Sequence, residues 1–243
     1  MKILRTGCAA LVASSGALLM TANAMAFSVL DSTIYGQLNG QTNVTASNGV
    51  TFQSVGGAFV IDNDQGISGI GVNGTAGGQE LGVGESITAS WSAGLKIDSF
   101  VVSLLYNGPE FADVREQVGV KAYSGLTLLG SGILEVAAQP STTSAVWIAS
   151  GGLTSAFSSV TKLSPAAQPG AGQWRVLTPF DSALITKLEF TALPGVCGGD
   201  GGCGNQSDYV LTSVTAVPEP ETYALMLAGL GAVGFMARRR KPV

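Results

Sequence analysis

Two carboxylates and an amide precede a glycine in the segment 62–66, of sequence DNDQG, and this order begins many loops that bind a hard cation. An EF-hand would need an acidic ligand at the twelfth position, which is Asn73, so that site is excluded. A calcium site built from separate loops stays open, and an ordinary polar turn with solvated acids is the alternative. Its candidate ligands are Asp62, Asp64, Glu80 and Glu85, with Asp113 and Glu116 as further acids.

Histidine is absent from the chain, and this excludes most common catalytic and metal-binding chemistries. Ser-His-Asp and Cys-His catalysis, the common zinc sites and haem sites with a histidine ligand all need the imidazole. Glycoside hydrolysis needs only two carboxyl groups, but no further motif accompanies the acids named above. We therefore expect no enzymatic activity.

Trp174 is the candidate for stacking against a sugar, because it lies between polar neighbours in the sequence GQWR at 172–175. An exposed indole face suits the C–H face of a pyranose, although large aromatic residues more often lie in a sandwich core. Trp91 follows an alternating apolar pattern and is expected in the core.

The first 26 residues have the three parts of a secretory signal peptide. Lys2 and Arg5 give the positive region, residues 7–20 give the apolar region, and Ala24 and Ala26 form an A-x-A cleavage site. We expect passage through the secretion translocon, cleavage by signal peptidase and a mature chain that begins at Phe27.

Two cysteines, Cys197 and Cys203, remain after signal-peptide removal, because Cys8 leaves with it. They flank the glycine-rich sequence GGDGG in an exported chain, which favours a disulfide that shapes one loop. The alternative, a metal-binding cysteine pair, lacks the other two ligands.

Residues 217–243 join a rigid start, an apolar run and a basic end. Val217 is followed by Pro218, Glu219 and Pro220, and the prolines keep this stretch extended and accessible to another protein. The uncharged run 223–237 is shorter than the ~20 residues that cross a bilayer comfortably, so it would span with help from its flanks. The cations expected on the cytoplasmic side are Arg238, Arg239, Arg240 and Lys241.

This order of segments resembles the PEP-CTERM sorting signal over the whole tail. The resemblance implies that the tail is cut near the Pro-Glu-Pro by an exosortase, a membrane-embedded cysteine peptidase of the cell envelope. It also implies a transient inner-membrane anchor, followed by transfer to the cell envelope, outer surface or extracellular matrix. A permanent anchor or a buried apolar helix is the alternative.

The body, residues 27–216, is acidic and lies between these two segments. It contains 14 acidic and six basic residues, a difference of eight negative charges, so nucleic acid and an anionic lipid surface are poor partners. A solubilising surface or bound calcium would both be compatible with that balance.

Short runs rich in valine, isoleucine, threonine and aromatic residues recur between glycine and asparagine clusters, and predict an all-β body. We expect a two-sheet, jelly-roll-like sandwich, with a closed barrel as the second choice. The segment 141–172 is the least patterned. The predicted strands are 29–38, 50–53, 58–61, 69–72, 86–91, 97–106, 117–123, 127–129, 133–136, 145–148, 173–177, 186–190 and 209–217.

The segment 69–120 is similar to the β-rich body common in PEP-CTERM proteins, through GIGV at 69–72 and GQELGVGESI at 78–87. This resemblance implies a fold like that of carbohydrate-binding modules. Together these features predict an exported structural or interaction protein of the envelope or of a biofilm matrix with secreted polysaccharide. The alternative is a lectin-like module that binds a glycan, with or without calcium.

Overall fold

The computed structural model describes most of the body and a small part of the tail. The described residues are 26–64, 66–74, 78–106, 115–136, 144–153, 156–164, 172–196 and 206–217, with 228–231, 233, 234 and 236 in the tail.

The described body consists of β-strands and one short helix, which confirms the all-β prediction. In chain order the elements are β1 (Phe27–Leu30), α1 (Tyr35–Leu38), β2 (Asn43–Thr45), β3 (Thr51–Val55), β4 (Ala58–Asp64), β5 (Ile67–Asn73), β6 (Ser86–Ser103), β7 (Arg115–Ser124), β8 (Thr127–Val136), β9 (Ala145–Gly151), β10 (Ser159–Lys162), β11 (Trp174–Leu177), β12 (Leu184–Val196) and β13 (Val210–Val217).

Strand β6 organises the sheet, because it pairs with four other strands along its 18 residues. The main hydrogen-bonded order is β4-β5-β13-β6-β12-β7-β8-β9, with β3 and β11 also pairing with β6. Lys96 pairs with Leu184 of β12 and with Val217 of β13, so these two strands flank β6 where its partners change. Before Lys96 the partners of β6 are β3 and β12, and after it they are β13 and β11.

The sheet folds over on itself into a sandwich-like arrangement. Phe100 of β6 and Trp147 of β9 have ring centroids 5.3 Å apart. Their strands are separated by β12, β7 and β8 in the hydrogen-bonded order, which would place them about 19 Å apart on a flat sheet. Strand β9, at one end of the sheet, therefore faces the central strand β6 across the core. The jelly-roll order of strands stays a prediction.

Aromatic rings fill the centre of this core. Phe100 also makes an edge contact with Phe190 of β12 at 5.7 Å, and Trp147 makes one with Phe180 at 5.5 Å. The indole nitrogen of Trp147 donates to the carbonyl of Pro179 at 2.8 Å, which satisfies the polar atom of a side chain that is only 6% exposed.

Sequence periodicity located several strands correctly. Val118, Val120 and Ala122 of β7 are buried and alternate with more polar positions, as predicted. In β12, Leu188 and Phe190 are buried in the same way. These strands have one face on the core, so the period of two is visible in the sequence.

The predicted strand 29–38 is wrong in its second half. The chain leaves β1 at Leu30, turns where the Asp31 carboxylate accepts a hydrogen bond from the amide of Thr33 at 2.8 Å, and then forms α1. Tyr35 and Leu38 of this helix are buried, and the Tyr35 hydroxyl donates to the carbonyl of Thr212. Tyr35 and Leu38 are three residues apart, a spacing that suits one face of a helix, so the strand predicted here is wrong.

Two pairs of predicted strands are single strands in the structure. The ranges 86–91 and 97–106 fall largely within β6, and the ranges 127–129 and 133–136 fall within β8. The least patterned segment contains β9 and β10, of which only β9 was predicted.

We predict that Gly132→Ala lowers the free energy of unfolding by about 1–3 kcal/mol, because the added methyl group would collide with the ring of Trp147. The hydrogen bond from Trp147 to Pro179 opposes movement of the indole away from it. The matched control is Gly36→Ala in α1, where an added methyl group meets nothing within 4 Å. Urea denaturation should separate the two variants, and equal stability would contradict this packing.

Candidate functional site

The junction between the body and the tail lies at the end of β13. Phe27 of β1 pairs antiparallel with Ala216 of β13, and Val217 ends the strand opposite Lys96. Ala26, the residue before the predicted signal cleavage point, is exposed and directly precedes β1. Both predicted processing points therefore lie beside each other at the same edge of the fold.

Several predicted site residues lie outside the described residues. These are Ala24 of the signal cleavage site, the predicted disulfide cysteines Cys197 and Cys203, the motif residues Pro218, Glu219 and Pro220, and the cations Arg238, Arg239, Arg240 and Lys241.

The described tail residues, 228–231, 233, 234 and 236, are helical. Within the described ranges, no helix has both the length and the apolar character needed to cross a membrane.

Three of the predicted calcium ligands belong to one acidic cluster. Burial and, to a smaller extent, the nearby carboxyl groups of Asp208, Asp62 and Asp64 together raise the pKa of Glu80 to about 9. Glu80 and Asp208 share a hydrogen bond, so one proton is held between two carboxyl groups at neutral pH. The cluster can therefore store a proton.

A fifth acid, the buried Glu116, contacts this cluster through the backbone of Asp208. Glu116 is fully buried, and its Oε2 accepts a hydrogen bond from the amide of Tyr106. Its Oε1 accepts a hydrogen bond from the amide of Asp208 at 3.4 Å. Burial raises the pKa of Asp208, although hydrogen bonds with Glu80 and Glu116 act against that increase. Sequence reasoning missed Asp208, because only the β13 pairing brings it to Glu80.

Glu85 lies apart from the acidic cluster, so the predicted set of four calcium ligands is wrong as a single site. Its side chain packs against Gly56 and Gly74 at the Ala58 end of β4, and its Oε2 accepts a hydrogen bond from the amide of Gly82 at 2.9 Å. Asp64 ends β4 at its other end, about 20 Å along the strand. One ion cannot bridge that distance.

The metal-ligand chemistry of the described residues is limited. Across those ranges, no three His, Cys, Asp or Glu side chains form a group arranged to hold a metal ion. Asp62, Asp64 and Glu80 interact electrostatically without forming such a group.

Trp174 has no free ring face, so the prediction that it stacks against a sugar is wrong. It is 3% exposed, and its indole nitrogen donates to the carbonyl of Leu105 at 3.0 Å. Trp91, expected in the core, is instead half-buried and lines a cavity of about 250 Å³ with Phe27, Asn48 and Leu95.

We predict that the free energy of unfolding falls as pH rises from about 4.5 to about 9. The pKa of Glu80 is higher in the folded state than its ordinary 4.5, so folding retains a proton that the unfolded chain releases over that interval. Glu80→Gln should flatten this pH dependence, measured by urea denaturation at several pH values. Glu189→Gln is the control and should keep it, because hydrogen bonds from Lys121 and Tyr123 lower the pKa of Glu189 against the effect of partial burial. A stability that does not change with pH in the wild type would contradict the proton-sharing pair.

Comparison with known proteins identifies the tail. A family model described as the PEP-CTERM protein-sorting motif matches residues 216–241, which confirms the resemblance drawn from the sequence. No curated protein and no solved structure matches the chain. The motif implies exosortase-dependent sorting of an exported protein. The chain thus carries a PEP-CTERM protein-sorting motif, which begins at the last two residues of β13.

Proposed function

We propose that this chain is a structural or interaction protein of the cell envelope or extracellular matrix, released from a membrane-bound precursor by exosortase. The observation that carries the proposal is the position of the sorting motif, which begins at the last two residues of the final strand of the body. A cut after Val217 would remove the motif and leave every described strand in the product.

The end of β13 gives the peptidase a defined substrate. Val217 is held by its pairing with Lys96, while Pro218 has no amide hydrogen with which to extend the ladder. The chain therefore changes at this point from a paired strand to a stretch that resists sheet pairing. An extended, unpaired stretch is the form in which a peptidase binds a substrate most readily.

The apolar run 223–237 and the cations after it anchor the precursor in the inner membrane, with the body outside. Tail removal then converts a membrane protein into a released one. Secreted polysaccharide and other matrix proteins are the partners that this destination makes available to the body.

An apolar patch on the outer face of the sheet supports a role in association. Ile133 of β8 pairs with Ile148 of β9, and these side chains are 37% and 56% exposed. Val146 of β9 is 52% exposed on the same face. Among the described strands, β9 pairs only with β8, so its other edge offers free backbone groups to a partner strand.

We predict that Glu219→Gln reduces tail removal at least about tenfold. A hydrogen bond between the peptidase and the charged Glu219 side chain would contribute about 1.5–3 kcal/mol to binding, and the neutral glutamine would lose most of that contribution. Mass spectrometry of the protein from the producing cells would measure the fraction that retains residues 218–243. The matched control is Glu221→Gln, the same chemical change outside the Pro-Glu-Pro, which should be processed normally. A wild-type mature protein that still ends at Val243 would contradict the proposed function.

Glycan binding is the second candidate function, and the exposed ring of Phe157 is the observation that favours it. The ring is 80% exposed, whereas the backbone is fixed to the loop before β12. The amide of Phe157 donates to Asp181 Oδ1 at 3.3 Å, and the Thr178 hydroxyl donates to the Phe157 carbonyl at 2.6 Å. Thr178 and Asp181 both have positive φ, a strained conformation that often marks a functional loop.

For this second candidate we predict that Phe157→Ala weakens binding to the producing cell's exopolysaccharide about tenfold, or ~1.4 kcal/mol, through the lost stacking. The fold should be retained, because the side chain is exposed. The control is Leu126→Ala, which removes a 97% exposed apolar side chain from the turn between β7 and β8 and should bind normally. Binding that is saturable and equal in both variants would exclude Phe157 as the contact.

A further inference from the structure

The two ends of the body leave it in the same direction. Strand β1 begins at Phe27 and β13 ends at Val217, and the two strands are antiparallel, with Phe27 opposite Ala216. The residues before Phe27 and those after Val217 therefore continue from one edge of the fold. Each of these segments leads to an apolar run in the sequence, at 7–20 and at 223–237.

The connection between the body and the tail's apolar run is short. Only five residues, 218–222, separate Val217 from Tyr223. Fully extended, they reach roughly 18 Å. A bilayer that holds the apolar run therefore lies close to the edge from which Val217 emerges.

Apolar side chains are exposed along this edge, which we call the exit rim. Leu184 pairs with Lys96 beside Val217 and is 39% exposed. The turn between β7 and β8 lies next to it, since the amide of Gly125 donates to the Thr186 hydroxyl at 2.7 Å. The exit rim consists of Phe27, Trp91, Lys96, Leu126, Leu184 and Val217.

Two members of the exit rim have the character of interfacial side chains. Leu126 is 97% exposed at the tip of a turn, where it can enter a headgroup layer without disturbing the core. Trp91 is half-buried beside the cavity, and its indole nitrogen donates to the carbonyl of Ile185 at 2.8 Å. Tryptophan is enriched at membrane interfaces because it combines an apolar ring with a satisfied polar atom.

Charge is distributed unevenly between the exit rim and the other end of the fold. The acidic cluster around Glu80 and Asp208 lies before β13, so the eight residues of that strand place it about 25 Å from Val217. Lys96 lies in the exit rim, and the carboxylates near it in the chain are single ones: Asp98, two positions from Lys96, and Asp181, three positions before Leu184. An anionic surface would therefore repel the acidic end and favour contact through the exit rim.

We propose that the exit rim is a docking surface for an anionic phospholipid bilayer while the tail is attached. This inference rests on the proposed function, since it needs a precursor that the tail holds in a membrane. The docked body presents the chain that follows Val217 at the membrane surface, where a membrane-embedded peptidase acts. Removal of the tail leaves only the weak contact of the exit rim, and the body departs.

The test uses the full chain from cells without active exosortase, reconstituted in vesicles of phosphatidylethanolamine and phosphatidylglycerol with a trace of phospholipid that has a photoreactive headgroup. After irradiation, peptide mass spectrometry maps the lipid adducts. We expect adducts on peptides that contain Leu126 and Leu184, and none on the peptide that contains Asp62 and Asp64. Vesicles of phosphatidylcholine alone should give fewer adducts, because the anionic lipid is absent.

The double variant Leu126→Glu and Leu184→Glu should reduce the exit-rim adducts at least about fivefold, because carboxylates disfavour contact with an anionic bilayer. Val55→Glu is the control, since Val55 is 55% exposed at the end of β3 distant from the exit rim. Adducts spread equally over both ends, or unchanged in the double variant, would overturn the proposal. Retention of the tail in cells with active exosortase is a separate result and would overturn the proposed function itself.

Discussion

The packing of Trp147 between Gly132 and Phe100 is the contact on which the sandwich depends. It joins β9 to β6, which are far apart in the hydrogen-bonded order, and so it closes the sheet over its own core. A glycine at 132 is needed because the indole occupies the space of a side chain. In the same sheet, β6 pairs with both β12 and β13, and β13 ends beside β1.

Strand β13 connects the two regions of chemical interest. Before its first residue lies Asp208, which shares a proton with Glu80, and after its last residue the sorting segment begins. The two ends of this strand therefore differ in chemistry, with buried acidic groups at its start and an apolar edge of the body at its end. One strand thus has the acidic cluster at its start and the sorting motif at its end.

The sequence predicted the strands with one polar and one apolar face, such as β7 and β12, because alternation is a local property. The predicted break within β6 is wrong, because the exposed Ser92 and Ala93 interrupt the alternation while the backbone pairing with β12 resumes at Leu95. The wrong prediction for Trp174 also concerns alternation within a strand. Neighbours in a strand point to opposite faces, so the exposed Arg175 beside it indicates an inward tryptophan. Asp208 could not be found, because its proximity to Glu80 depends on tertiary pairing.

The antiparallel register of Phe27 and Ala216 has an electrostatic consequence for the mature protein. Signal-peptide removal before Phe27 would create an α-ammonium group there, and a cut after Val217 would create an α-carboxylate on the adjacent strand, roughly 5 Å away. Two proteolytic events would therefore generate an ion pair that the precursor lacks, with an attraction of about 1 kcal/mol or less in water. Maturation would then fasten the two new ends of the chain to each other as it frees the body.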